Sequence, residues 1–262
     1  MATRPEEELL TPTPLPTVAS HNRYVEIDLL RTLAILMMIV YHSAYDLEYI
    51  FNIPVFHVLH GGGWLLGRST AVLFLLLVGV SFAISYERST ASAPRRVMKY
   101  LKRGMAIVLC GMLVTASTYL FDPETFVRFG ILHMIGVSVM LLPLVRRLRE
   151  GNALLGLGII LLGNVITHLP TPTQTSISRS LLLPFGFLPP HFASVDYYPL
   201  LPWFGVILLG IAIADAWYIR PQREPQVISK VLRILSIPGK HALAIYLLHQ
   251  PIMLFLLLLI LR

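Results

Sequence analysis

The sequence predicts an all-α integral membrane protein, a bundle of seven transmembrane helices with its N-terminus inside and its C-terminus outside. Three observations carry that prediction. The 262 residues are 55% hydrophobic and 13% charged, with a mean hydropathy of +0.70, far from soluble composition. Seven apolar stretches reach or approach spanning length, at about 26–46, 66–86, 103–121, 129–145, 153–169, 200–219 and 241–261. The basic residues, finally, gather in alternate loops, as the retention of Lys and Arg in the cytoplasm requires.

Residues 1–22 mix Pro, Thr and acidic side chains without an apolar core, and read as a disordered cytoplasmic tail rather than a signal peptide. The first helix then runs outward to Asp46, and the second returns to a loop carrying Arg88, Arg95, Arg96, Lys99, Lys102 and Arg103. The third and fourth lead to Arg146, Arg147 and Arg149, and the fifth and sixth to Arg220, Arg223, Lys230, Arg233 and Lys240. Only Arg68, Arg128 and Arg179 lie in or beside the opposite loops, and the seventh helix ends outside at Arg262. The longest loop, about 170–199, is outer; its run LLLPFGFLPPHF is apolar enough to lie against the membrane or dip into the bundle.

The net charge of +7 does not point to nucleic acid, because the basic residues lie where topology demands them. The single Cys110 cannot form an intrachain disulfide, and no Cys and His spacing suggests a metal site.

The first helix carries a polar seam. Asp28, Arg31, His42 and Asp46 fall within an arc of roughly 60° at the helical angle per residue. The seam extends roughly 27 Å, nearly the thickness of the hydrocarbon core. Ionisable groups at such depth mark a functional site by default. Arg31 is suited to anchoring an anion and His42 to taking and returning a proton, with Asp46 as its orienter. The bland alternative is two structural ion pairs, Asp28 with Arg31 and His42 with Asp46.

A second cluster follows in FNIPVFHVLHGGGWLLGR. Its three glycines allow close approach of a ligand to the backbone beside His57 and His60, while a plain turn anchored by Trp64 is the rival reading. His133 and Arg128 enter from the same outer side, so a pocket of several histidines and arginines is expected there. Asp196 and Trp203, in DYYPLLPWFG, are candidate acceptor contacts, although an aromatic belt accounts for Trp203 equally. In the last helix His249 and Gln250 lie near mid-membrane, where they either bond another helix or line a polar path.

Five stretches, RYVEIDLLRTLAILMMIVYHSAYDL, GRSTAVLFLLLVGVSFAIS, RFGILHMIGVSVMLL, DYYPLLPWFGVILLGIAIA and GKHALAIYLLHQPIM, resemble in this order the bacterial membrane proteins grouped with the catalytic domain of heparan-alpha-glucosaminide N-acetyltransferase. Arg31 and His42 also resemble the Arg, ten residues, His signature of integral-membrane O-acyltransferases. The resemblance implies a transmembrane acyltransferase-like domain over 23–262 in the plasma membrane. It implies transfer of an acetyl group from cytosolic acetyl-CoA, a co-substrate, to an amine or hydroxyl of a sugar or glycan on the far side, without a metal.

By that resemblance the family's essential histidine falls on His60 or His57. Catalysis is then expected from His42, His60 and Asp46, cofactor binding from Arg31, Asp28, Arg128 and His133, and substrate binding from His57, Asp196 and Trp203. The partners are membrane lipids and a glycan or amino-sugar acceptor, with a homodimer left open. The rival reading is a small-molecule or ion transporter using the same seam, against which stands the lack of an inverted repeat. A receptor-like seven-helix protein is the third reading, its retinal form disfavoured because the last helix holds no Lys.

Overall fold

The computed structural model describes residues 23–168, 181–224 and 229–261. The expected tail 1–22, Arg179 and Arg262 lie outside the described residues. The chain is helical: α1 Val25–Tyr49, α2 Gly61–Glu87, α3 Ala93–Phe121, α4 Ile131–Val145, α5 Asn152–Thr167, α6 Leu200–Ala214, short α7 Lys230–Leu235 and α8 Ile237–Lys240, and α9 Ala242–Leu261. A single turn of wider helix, Asp215–Ile219, extends α6.

Among the described residues six stretches are long and apolar enough to cross a membrane: α1, α2, α3, Ile131–Thr167, Leu200–Ile219 and α9. The fourth holds two of the seven expected helices. It is not one rod, because Arg149 (φ 49°, ψ −124°) breaks the helical path between α4 and α5. At about 1.5 Å per residue each of these two helices measures roughly 22–24 Å, short of the roughly 30 Å hydrocarbon core. α4 lies along α3 and α5 along α6.

Two helix starts depart from the apolar pattern. The glycine triplet, expected in a loop, forms the first turn of α2, with Gly61 at φ 54°. A Cβ at Gly63 would lie 2.4 Å from the His57 carbonyl oxygen, so only glycine lets this turn seat on the preceding loop. α3 begins ten residues before its apolar stretch, because Pro94 sits in its first turn and the Arg, Lys, Met and Leu that follow are good helix formers.

α2 and α6 make the centre of the bundle, where Leu75, Ala83, Ile207, Leu208 and Ile211 are fully buried. Their backbones meet without side chains between them. A Cβ on Gly79 would lie 2.0 Å from the Ile207 carbonyl oxygen, and one on Gly210 2.2 Å from that of Leu76. α3 and α9 are peripheral and present Leu113, Leu120 and Phe121, and Phe255, Leu259 and Ile260, as an exposed apolar surface suited to lipid.

The two ends of the bundle differ chemically. At one end Arg146, 4% exposed, forks onto both oxygens of Asp215 at 2.8 and 2.9 Å and reaches Glu87 at 3.0 Å. The start of α1 is at this end too, with Tyr24 edge-on to Tyr218 and Arg223 beside Glu26. The corner of α7 and α8 docks there on Thr32, whose hydroxyl donates to the Leu235 carbonyl at 2.9 Å and accepts from Gly239 N–H at 3.0 Å. The other end is tied by Tyr198 N–H donating to the Phe129 carbonyl at 3.0 Å, and by the Tyr197 hydroxyl donating to the Leu183 carbonyl at 2.7 Å.

Candidate functional site

The seam of α1 is real, but its partners come from other helices. Arg31 donates to Asp28 Oδ1 at 2.6 Å and also to the Ser81 hydroxyl of α2. Asp28 is 3% exposed, and its Oδ2 is buried without a hydrogen-bond partner. The intrahelical ion pair therefore exists, and Ser81 fixes it against the centre of the bundle.

The expected bond between Asp46 and His42 is not formed. A helical side chain leans toward the N-terminus, so the His42 ring folds back and its Nδ1 meets the Met38 carbonyl at 2.9 Å, one turn earlier. Asp46, fully buried, instead accepts two hydrogen bonds from the Gln250 amide of α9, at 2.7 and 2.9 Å. The orienter of His42 is its own backbone, and Asp46 ties α1 to α9.

Across the same junction lies His249. Its ring stands edge-on to that of His42, with centroids 4.9 Å apart and planes at 80°. Its Nδ1 lies 2.6 Å from the Tyr246 carbonyl oxygen. A carbonyl oxygen only accepts, so in each neutral ring Nδ1 carries the proton and Nε2 the lone pair. The His249 Nε2 is buried with no partner. The sequence places His249 and Gln250 near mid-membrane but does not assign them to the site. Their value lies in a crossing of two helices more than 200 residues apart, which a period within α1 cannot reveal.

Around this pair is a polar layer. The Tyr41 ring is edge-on to His42 at 5.6 Å. Arg68 lies within electrostatic reach of Tyr41 and Tyr198, and Tyr246 within that of Asp196 and Tyr198. Arg68 stacks over the rings of Trp64 and Trp203, at 5.6 and 5.2 Å. Trp203, expected to meet substrate, is 6% exposed and covered by Arg68 and Tyr198, which makes it a platform for that arginine.

Asp196 caps α4, accepting from the Ile131 N–H at 3.0 Å. Desolvation pushes its carboxyl up to about 6, against the opposing pull of that hydrogen bond. This acid, expected to contact the acceptor, is engaged in holding a helix start.

The expected pocket of converging histidines and arginines is not assembled. His133 packs in the seam of α3 and α4, with Nε2 3.4 Å from the Met112 sulfur, its ring against Phe129 and Gly111 beneath it. Arg128 stacks on Phe126 and Phe192 at 4.8 and 5.3 Å. Neither meets Arg31, which lies toward the opposite end of the bundle. His57 and His60 are exposed and line a shallow recess of about 350 Å³ with Phe56 and the three glycines. His57 Nδ1 is 3.7 Å from Glu48, which also accepts from Val58 N–H at 3.2 Å.

At the Arg146 end a larger cleft of about 610 Å³ is lined by Arg149, Arg220 and Gln222 together with Glu87, Glu150 and Asp215. These acids are engaged, Glu150 by Arg220 at 3.2 Å and the other two by Arg146. Among the described residues no group of three or more His, Cys, Asp or Glu could hold a metal ion.

Apolar helices enclosing a layer of facing imidazoles, tyrosines and a buried carboxylate define an integral membrane protein with a polar site inside its bundle. The chain belongs to the family described as heparan-alpha-glucosaminide N-acetyltransferase, catalytic, whose model matches residues 23–251. The match runs from the start of α1 through Gln250 and takes in the whole polar layer. Comparison with curated proteins and with solved structures gave no match.

Proposed function

We propose that the protein is a plasma-membrane acyltransferase that moves an acetyl group from cytosolic acetyl-CoA to an amine or hydroxyl of a sugar or glycan on the far side. The observation that carries this reading is the pair of facing imidazoles where α1 meets α9, each held through Nδ1 on a helical carbonyl, with the His249 Nε2 buried and unpartnered, in a chain of an acetyltransferase family. The bundle crosses the membrane seven times, α4 and α5 forming a short hairpin turned at Arg149, with the N-terminus inside and the C-terminus outside. In favour of this orientation, the loops bearing Arg88, Arg146 and Arg220 share one end of the bundle. Residues 23–262 then form one acyltransferase-like domain.

Acetyl-CoA supplies the activated acetyl group. Its phosphates suit the basic end, where Arg149 and Arg220 line a cleft of ligand size whose acids are already paired. Arg31 is the next cation along the seam, and His42 lies eleven residues, about 16 Å, further along α1. His42 serves as general base for the acceptor, because its proton sits on Nδ1 and its Nε2 accepts. His57 and His60 line the outer recess through which an acceptor arrives.

The test is purified protein in detergent with labelled acetyl-CoA, read for saturable binding, CoA release and acetylation of glucosamine. Absence of acetyl-CoA binding by folded protein overturns the enzyme reading and favours transport. Full turnover in both His42→Ala and His60→Ala overturns the base assignment alone.

A further inference from the structure

α9 is a helix of 20 residues with a single buried residue, and that residue is His249. Everything else on this helix is at least partly open to its surroundings, as expected of a peripheral helix facing lipid. A polar ring is the least suitable side chain to bury at such a contact unless its polar atoms are used. One is used: Nδ1 donates to the Tyr246 carbonyl at 2.6 Å. The other, Nε2, is enclosed and meets no donor. Packing alone does not explain that atom, since an apolar side chain of similar size would fill the space without an unpaired acceptor.

His249 is also locked in place. One residue on, Gln250 holds Asp46 with two hydrogen bonds, so the ring cannot slide away from α1. Its edge-on contact with His42 puts two imidazoles, each with its proton on the helical carbonyl side, in one layer. Tyr246, one turn earlier, reaches the layer of Asp196 and Tyr198.

We infer that His249 is a second catalytic imidazole, whose Nε2 takes a proton from the acceptor amine beside His42. The inference rests on the acyltransferase reading above. An amino sugar arrives largely as an ammonium and must shed two protons to become an amide, one to free its lone pair and one as its nitrogen bonds the acetyl carbon. Two neutral imidazoles match those two protons. His249 takes one and His42 the other, while the nitrogen–carbon bond forms and the thioester carbon–sulfur bond breaks. One imidazolium then returns its proton to the leaving thiolate, and the other releases its proton to water.

The experiment uses the full chain in detergent, labelled acetyl-CoA and glucosamine. His249→Asn keeps a donor for the Tyr246 carbonyl and deletes the accepting Nε2. The expected result is acetyl-CoA affinity within about twofold of wild type with kcat reduced by about 10²-fold or more, and partial recovery of turnover in His249→Ala on adding imidazole. Wild-type kcat in His249→Asn overturns the inference while leaving the enzyme reading intact. No acetyl-CoA binding by the wild type overturns the enzyme reading itself, and binding without glucosamine acetylation overturns the amine acceptor. Should the Asn variant not fold, His249→Gln, whose amide takes no proton, carries the same comparison.

Discussion

The Gln250 amide donates to both carboxylate oxygens of Asp46, at 2.7 and 2.9 Å, and so joins the last spanning helix to the first. Asp46 is fully buried, and His42, one turn earlier on the same face of α1, does not help it. Removing the amide leaves a buried carboxylate without donors. Gln250→Ala is expected to destabilise the protein by about 2–3 kcal/mol, read as a lowered Tm in detergent. Asp46→Leu in the Gln250→Ala background recovers a good part of that loss, because both polar partners are then gone. Additive losses in the double variant would sink the assignment.

The fork between Arg146 and Asp215 is the most buried ion pair among the described residues, with both side chains about 95% buried. Asp215→Ala strands a buried guanidinium and is expected to cost about 3–5 kcal/mol. Glu87, bonded to the same arginine but 43% exposed, is expected to cost under about 1 kcal/mol when changed to Ala. Thermal unfolding of the two variants side by side checks the order. Equal losses would mean that burial does not set the strength of this cluster.

The Asp196 carboxyl gives the fold a pH dependence of defined sign. Its folded value of about 6 lies above the ordinary 3.8. Between those values the folded state holds more protons than the unfolded chain, so its contribution is present at low pH and is lost as pH rises through about 6. Part of Asp196 still reaches solvent, which holds the effect to about 1–2 kcal/mol. Asp196→Asn keeps an acceptor for the Ile131 N–H but does not titrate. The stability difference between wild type and Asn variant is therefore expected to shift against the wild type between pH 4 and pH 7, measured by denaturation at each pH.

The sequence made legible what depends on one helix at a time. Hydropathy located α1, α2, α3, α6 and α9 to within a few residues, except where glycines or a basic amphipathic turn extended a helix past its apolar stretch, as at Gly61 and Pro94. The Asp28 and Arg31 pair is also local, three residues apart on one face. What stayed hidden needs two helices at once. Asp46 chooses Gln250 over His42, and Arg146 chooses Asp215, 69 residues away, through crossings that no period encodes. The sequence puts His133 and Arg128 at one end of the membrane, yet sharing an end is not sharing a pocket, because α4 packs on α3 rather than on α1.

A close backbone contact between two long helices supplies the last prediction. α2 and α6 run past each other with Gly79 against the Ile207 carbonyl and Gly210 against that of Leu76. A methyl at Gly79 would sit 2.0 Å from a backbone oxygen, which cannot rotate away as a side-chain tip does. The two helices must separate instead, opening the fully buried layer of Leu75, Ile207 and Ile211. Gly79→Ala is expected to destabilise by about 2–3 kcal/mol, at the upper range for overpacking, and to lower Tm in detergent. Gly158, with nothing within 4 Å of an added Cβ, is the control. Gly158→Ala is expected to be neutral or to stabilise by up to about 1 kcal/mol, since alanine is the better helix former. Equal behaviour of the two variants would show that α2 and α6 do not meet backbone to backbone.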